Sequence, residues 1–129
     1  MVDKIEKVNF WVKSANEAFE MTDFLFNNKK YPDSLFYGQL ALEKLLKAVY
    51  ISKQDSPPPY VHDLLYLAKK TGLELPDEIA RDLKIITGFN INARYDDYKE
   101  SFRKEATKEY STIFIGKIRE IKKWLEEKI

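Results

Sequence analysis

Apolar residues recur three and four positions apart along most of this 129-residue chain, and prolines cut the pattern into separate stretches. Such spacing lines up one apolar stripe along a helix, and it limits the possible folds more tightly than composition does. Val8, Val12, Ala15, Phe19, Thr22 and Phe26 mark a first helix over about residues 3–27. Pro32, Asp33 and Ser34 carry helix-start chemistry for a second, which runs through LFYGQLALEKLLKAVYI to about Lys53. SPPP at residues 56–59 ends it, since proline lacks the amide donor and its ring clashes with the preceding turn. A short helix is expected over about residues 61–70, closed by Gly72. Pro76 and Asp77 start a fourth, with Ile79, Leu83 and Ile86 inward and an end near Gly88 or Phe89. The last covers roughly residues 104–127, with Ala106, Tyr110, Ile113, Phe114, Ile118, Ile121 and Leu125 on one face. With no strand alternation to compete, the expected fold is all-α: an up-and-down bundle of four long helices plus a short extra one, in a single domain spanning residues 1–129.

Several function classes fall away on residue inventory. The chain has no cysteine, which removes disulfides, thiolate catalysis and cysteine-held zinc, and its one histidine, His62, cannot form a histidine metal cluster within one chain. No metal or other cofactor is expected, although an Asp/Glu magnesium site stays open. Lys and Arg number 22 against 21 Asp and Glu, so there is no global pull on nucleic acid and any RNA contact has to be local. No apolar run approaches the roughly 20 residues that span a bilayer, and MVDKIEKVNF lacks the apolar core of a signal peptide. A cytoplasmic protein without membrane contact is the expectation.

Polar residues break the helical pattern informatively in three places. On the second helix Gln39, Glu43 and Lys47 form an i, i+4, i+8 row that enters an apolar sector, with Leu46 and Tyr50 on one side and Phe36 and Leu40 on the other. Either Glu43 and Lys47 pair at the bundle edge, or the row is a half-buried polar site whose groups need partners. His62 and Asp63 open the short helix, where a structural role is expected for His62 and Asp63 suits the helix dipole. The segment GFNINARYDDYKESF, residues 88–102, sets Arg94 among Asn90, Asn92, Tyr95, Asp96, Asp97 and Tyr98. Arg94 can grip a phosphate bidentately while Tyr95 or Tyr98 offers a ring to a base; in the competing arrangement it pairs with Asp96 or Asp97 in a loop.

Three motifs in order give the chain a resemblance. Phe36, Gln39, Ala41, Glu43, Lys44, Leu46, Lys47 and Ala48, followed by His62 and Leu64 and then by Ala93, Arg94, Tyr95 and Asp97, resemble the HEPN domain family, named for higher eukaryotes and prokaryotes. Many members look like metal-independent ribonucleases in which an Arg is followed by a His with four to six residues between them, and two such motifs meet across a homodimer cleft. Here Lys99, Glu100 and Ser101 occupy those positions, so the proton-transfer group, worth about 10²- to 10⁴-fold in rate, is missing. A phenol with a pKa near 10, such as that of Tyr98, is a poor substitute at neutral pH.

Members with Ala-Arg-Tyr and no such His resemble small stand-alone HEPN proteins paired with a minimal nucleotidyltransferase in toxin–antitoxin-like modules. The resemblance implies a non-catalytic homodimer that binds a nucleotide, an RNA or such a transferase. The candidate binding residues are Arg94, Tyr95, Asp97, Tyr98, Asn92, Gln39, Glu43 and Lys47. The alternative is a metal-independent endoribonuclease in which Arg94 steadies phosphate charge and Tyr98 or His62 completes the site. A third is a structural or inhibitory subunit that docks through exposed rings such as Trp11 or Trp124.

Overall fold

A computed structural model describes residues 3–129 of the chain, save the side chains of Asp96 and Asp97. Its elements are α1 Lys4–Asn27, α2 Tyr31–Gln54, α3 Leu64–Lys70, α4 Asp77–Arg94, α5 Asp96–Glu105 and α6 Lys108–Glu126. α1 opens on Asp3, whose carboxylate accepts the Glu6 amide at 2.8 Å, and packs along α2 through Val8, Ala15, Ala18 and Phe19. α2 starts with Pro32 in its first turn and ends on Asp55 in the left-handed region, after which Pro57 begins the proline run.

α2 touches all five other helices. Its residues Leu35, Ala41, Leu42, Leu45, Leu46 and Val49 are essentially inaccessible to water and form the centre of the core. Burying one such leucine is worth about 1.5–3 kcal/mol. Gly38 lets α6 come close: a Cβ there would lie 2.6 Å from the Ile118 Cδ1 atom. Among the described residues no helix is long and apolar enough to cross a membrane.

The bundle of four long helices is present, and its boundaries differ from expectation where local signals misled. α4 does not stop near Gly88 but continues to Arg94, because Phe89 and Asn90 extend the inward face begun by Leu83 and Ile86. Packing outweighs the roughly 1 kcal/mol that a glycine costs inside a helix. α3 starts at Leu64, since Asp63 is its cap and accepts the Tyr66 amide at 3.1 Å; His62 therefore lies in the preceding loop. Gly72 does follow the end of α3, at a φ of 84° that disfavours a side chain.

The expected last helix is present as α6 but starts later, at Lys108, and the segment ahead of it, for which no helix was expected, forms α5. α5 ends at Glu105, Ala106 sits at the break, and Thr107 caps α6 by accepting the Tyr110 amide. Rings hold this end together: Phe89 of α4 lies 5.6 Å from Phe102 of α5 and 5.3 Å from Phe114 of α6, centroid to centroid, and Tyr110 stacks on Phe114 at 4.8 Å. Burial, reinforced by the Glu105 carboxylate beside its hydroxyl, pushes the Tyr110 phenol up to about 12. Neither tryptophan is an exposed ring. Trp124 packs half-buried on the main core and Trp11 on the Val8, Ala48 and Ile51 cluster.

Candidate functional site

The polar row of α2 lies inside the molecule. Gln39 is fully buried, and Glu43 and Lys47 keep only 4% and 9% of their side-chain surface. Taking charges out of water costs several kcal/mol per ion unless they are paired and hydrogen-bonded. Here the groups satisfy one another. One Glu43 oxygen accepts from the Lys47 ammonium at 3.1 Å, and the other faces His62 Nδ1 at 2.9 Å. The Gln39 amide nitrogen donates to that second oxygen at 3.3 Å and to the His62 carbonyl at 3.1 Å, while its oxygen accepts from the Asn90 amide at 3.0 Å. The chain of contacts thus runs from α4 through α2 into the loop ahead of α3.

That loop is held from two sides. Gln39 fixes the His62 carbonyl, and Thr87 of α4 accepts the Leu64 amide at 3.0 Å. With Nδ1 against a carboxylate, neutral His62 carries its proton on Nδ1 and keeps a lone pair on Nε2. Half of the ring is exposed, and Nε2 has no protein partner among the described residues.

His62 forms a wall between two depressions. One, of about 270 Å³, is also lined by Asp63, Thr87, Asn90, Ile91, Arg94 and Tyr95, with the Asp63 carboxylate engaged in capping α3. Arg94 closes α4, Tyr95 is the extended residue that joins α4 to α5, and both side chains are exposed. Among the described residues the Arg94 side chain makes neither an ion pair nor a hydrogen bond. The other depression, of about 330 Å³, has Glu43 and Lys47 at its base and Phe10, Trp11, Lys44 and Tyr60 around it. The Lys47 ammonium lies 5.2 Å from the Trp11 ring centre and 5.6 Å from that of Tyr60, close enough for cation–π attraction.

The residues expected in one cleft are distributed. Arg94 and Tyr95 share a groove with His62; Glu43 and Lys47 line the neighbouring depression, and Gln39 lies beneath as a tie between them. Asn92 is half-exposed and Tyr98 is 53% exposed, and neither lines the groove. Asp97 lies outside the described side chains. Sequence reasoning passed over Asn90 as a site residue, although it stands one helical turn before Arg94. Tyr60 and Lys44 were missed too; their adjacency to His62 and Glu43 was the available signal. No group of three His, Asp or Glu side chains that could hold a metal occurs among the described residues.

The model of the HEPN domain matches residues 8–128. In fold the chain is similar to the crystal structure of TT1696 from Thermus thermophilus, with a TM-score of 0.82 at 18% identity over 95% of this chain and 98% of that one. No curated protein matches it in sequence.

Proposed function

The chain belongs to the HEPN domain family, and from that premise we propose that it is a non-catalytic, cytoplasmic binding protein that takes a nucleotide or RNA phosphate in the groove between His62 and Arg94. One observation carries the reading: a solvent-accessible guanidinium, with no carboxylate partner among the described residues, lies in the same groove as the His62 ring. Arg94 supplies a planar fork of donors for phosphate oxygens, and Tyr95 offers a ring beside it. Exposed Ile91 and Tyr95 give the rim apolar surface suited to a second copy, in keeping with a homodimer. A minimal nucleotidyltransferase in a toxin–antitoxin-like module is the macromolecular partner that fits the family resemblance, and co-purification with such an enzyme encoded nearby is its test.

Charge-assisted hydrogen bonds are worth about 1.5–3 kcal/mol, so Arg94→Ala is expected to weaken single-stranded RNA binding by about 10- to 100-fold. Fluorescence anisotropy with a labelled oligoribonucleotide reads this directly, and sedimentation of the same sample reports its mass. Unchanged affinity in a folded variant would remove the groove assignment.

The geometry also favours a second reading, metal-independent RNA cleavage. Glu43 orients His62 as a carboxylate orients a general base, Nε2 has no protein partner among the described residues, and His62 and Arg94 line the same groove. His62 would take the proton of a 2′-hydroxyl as its oxygen attacks phosphorus; the bond to the 5′-oxygen breaks, that oxygen receives the proton back, and a cyclic phosphate remains. Cleavage in the presence of chelator by wild type, lost in both His62→Ala and Arg94→Ala, would replace the binding reading with this one.

A further inference from the structure

Four features of the larger depression call for an occupant. Tyr60 is 95% exposed and Phe10 65% exposed, so two ring faces meet water at its mouth. Beneath them Lys47 is bound on three sides by Glu43, Trp11 and Tyr60, which fixes the base in place. Lys44, half-buried at the edge, donates to the Ser14 hydroxyl at 2.7 Å and has no ion-pair partner among the described residues. The lining therefore holds two ammonium groups against one carboxylate. Its volume of about 330 Å³ lies at the small end of the roughly 300–1,000 Å³ usual for small-ligand sites.

Rings at the mouth, a surplus positive charge at the edge and a polar base suit a flat heterocycle attached to an anion. We infer that this depression is a nucleobase pocket: it takes one unstacked base of a single-stranded RNA against Phe10 and Tyr60, with Lys44 on the attached phosphate. The inference rests on the proposed reading of the Arg94 groove, because His62 lines both depressions and a strand crossing it meets Arg94 on one side and the rings on the other. Stacking on aromatic faces tolerates every base, so the pocket sets strand type and register more than sequence.

The test is an anisotropy titration of wild type, Phe10→Ala/Tyr60→Ala, Lys44→Ala and Arg94→Ala with a short labelled oligoadenylate and with the same strand carrying one abasic ribose. The two substituted rings are exposed, and thermal melting confirms that the double variant is folded. Loss of one base stack predicts about a 10-fold weaker complex of the double variant with the intact strand. It also predicts little further loss when that variant meets the abasic strand, because the base and the rings are the same interaction. Lys44→Ala is expected to weaken both strands. Full affinity of the ring variant for the intact strand, with Arg94→Ala still defective, overturns the pocket and leaves the groove. A defect in the ring variant alone overturns the groove as the phosphate site and keeps a base pocket that acts by itself. Equal competition by adenosine monophosphate and by the strand would make the occupant a free nucleotide and overturn the strand assignment, and wild type that binds neither overturns both readings.

Discussion

Glu43 and Arg94 both interrupt apolar helix patterns, and the fold treats them in opposite ways. Glu43 is turned inward, and both of its oxygens are occupied by Lys47, Gln39 and His62. Arg94 is turned outward at the end of α4 and meets no partner among the described residues. A buried charge with every valence filled has little left to give a ligand, but it can hold other groups still. A solvent-accessible, unpaired one contributes little to stability and keeps its hydrogen-bonding capacity for whatever enters. The inner cluster positions and the outer rim binds, and His62 belongs to both.

The deepest cut through this contrast is Glu43→Ala. It strands a buried ammonium and deprives His62 and Gln39 of their acceptor; breaking such a pair costs about 3–5 kcal/mol, a large part of the roughly 5–15 kcal/mol that a domain commonly has. A denaturant midpoint that hardly moves would show that the cluster is not what holds the loop. Asn90→Ala comes next, leaving a buried Gln39 oxygen without its donor, and an equilibrium denaturation is expected to show a loss of about 1–3 kcal/mol.

Alkaline titration probes the ring cluster that supports the rim. Tyr110 has its phenol raised from 10.0 to about 12, so the unfolded chain releases this proton first. Its stabilising contribution is complete below pH 10 and is lost as pH rises toward about 12, and melting curves of Tyr110→Phe are expected to decline less over that window. The smallest change in stability belongs to Arg94→Ala, within about 0.5 kcal/mol of wild type. If that variant were strongly destabilised, Arg94 would belong to the framework and the separation of inner cluster from outer rim would collapse.

Much of the bundle was legible in the sequence because apolar spacing and proline breaks act locally. Val8 to Phe26 and Leu35 to Val49 could be placed on their inner faces without knowing what they touch. The end of α4 was not legible, since Gly88 reads as a stop until Phe89 is seen packed between Phe102 and Phe114, whose positions depend on α5 and α6. Of the candidate site, the α2 row could be recognised as out of place, and the choice between an edge pair and a buried site needed the partners. Those partners come from distant stretches: His62 is 19 positions from Glu43, and Asn90 is 51 from Gln39. No periodicity records such a meeting.

The two ties on the loop before α3 have a consequence for how this chain can vary. Because the His62 carbonyl is held by α2 and the Leu64 amide by α4, the stretch between Asp55 and Pro58 works as a strap slung from the end of α2 to that fixed point. Lengthening it costs only about 0.6 kcal/mol for each doubling, and extra residues would bow outward into solvent while the imidazole stays in place. A fluorophore, an epitope or a protease site inserted there would report on the neighbouring depressions from a few residues away without rebuilding either of them.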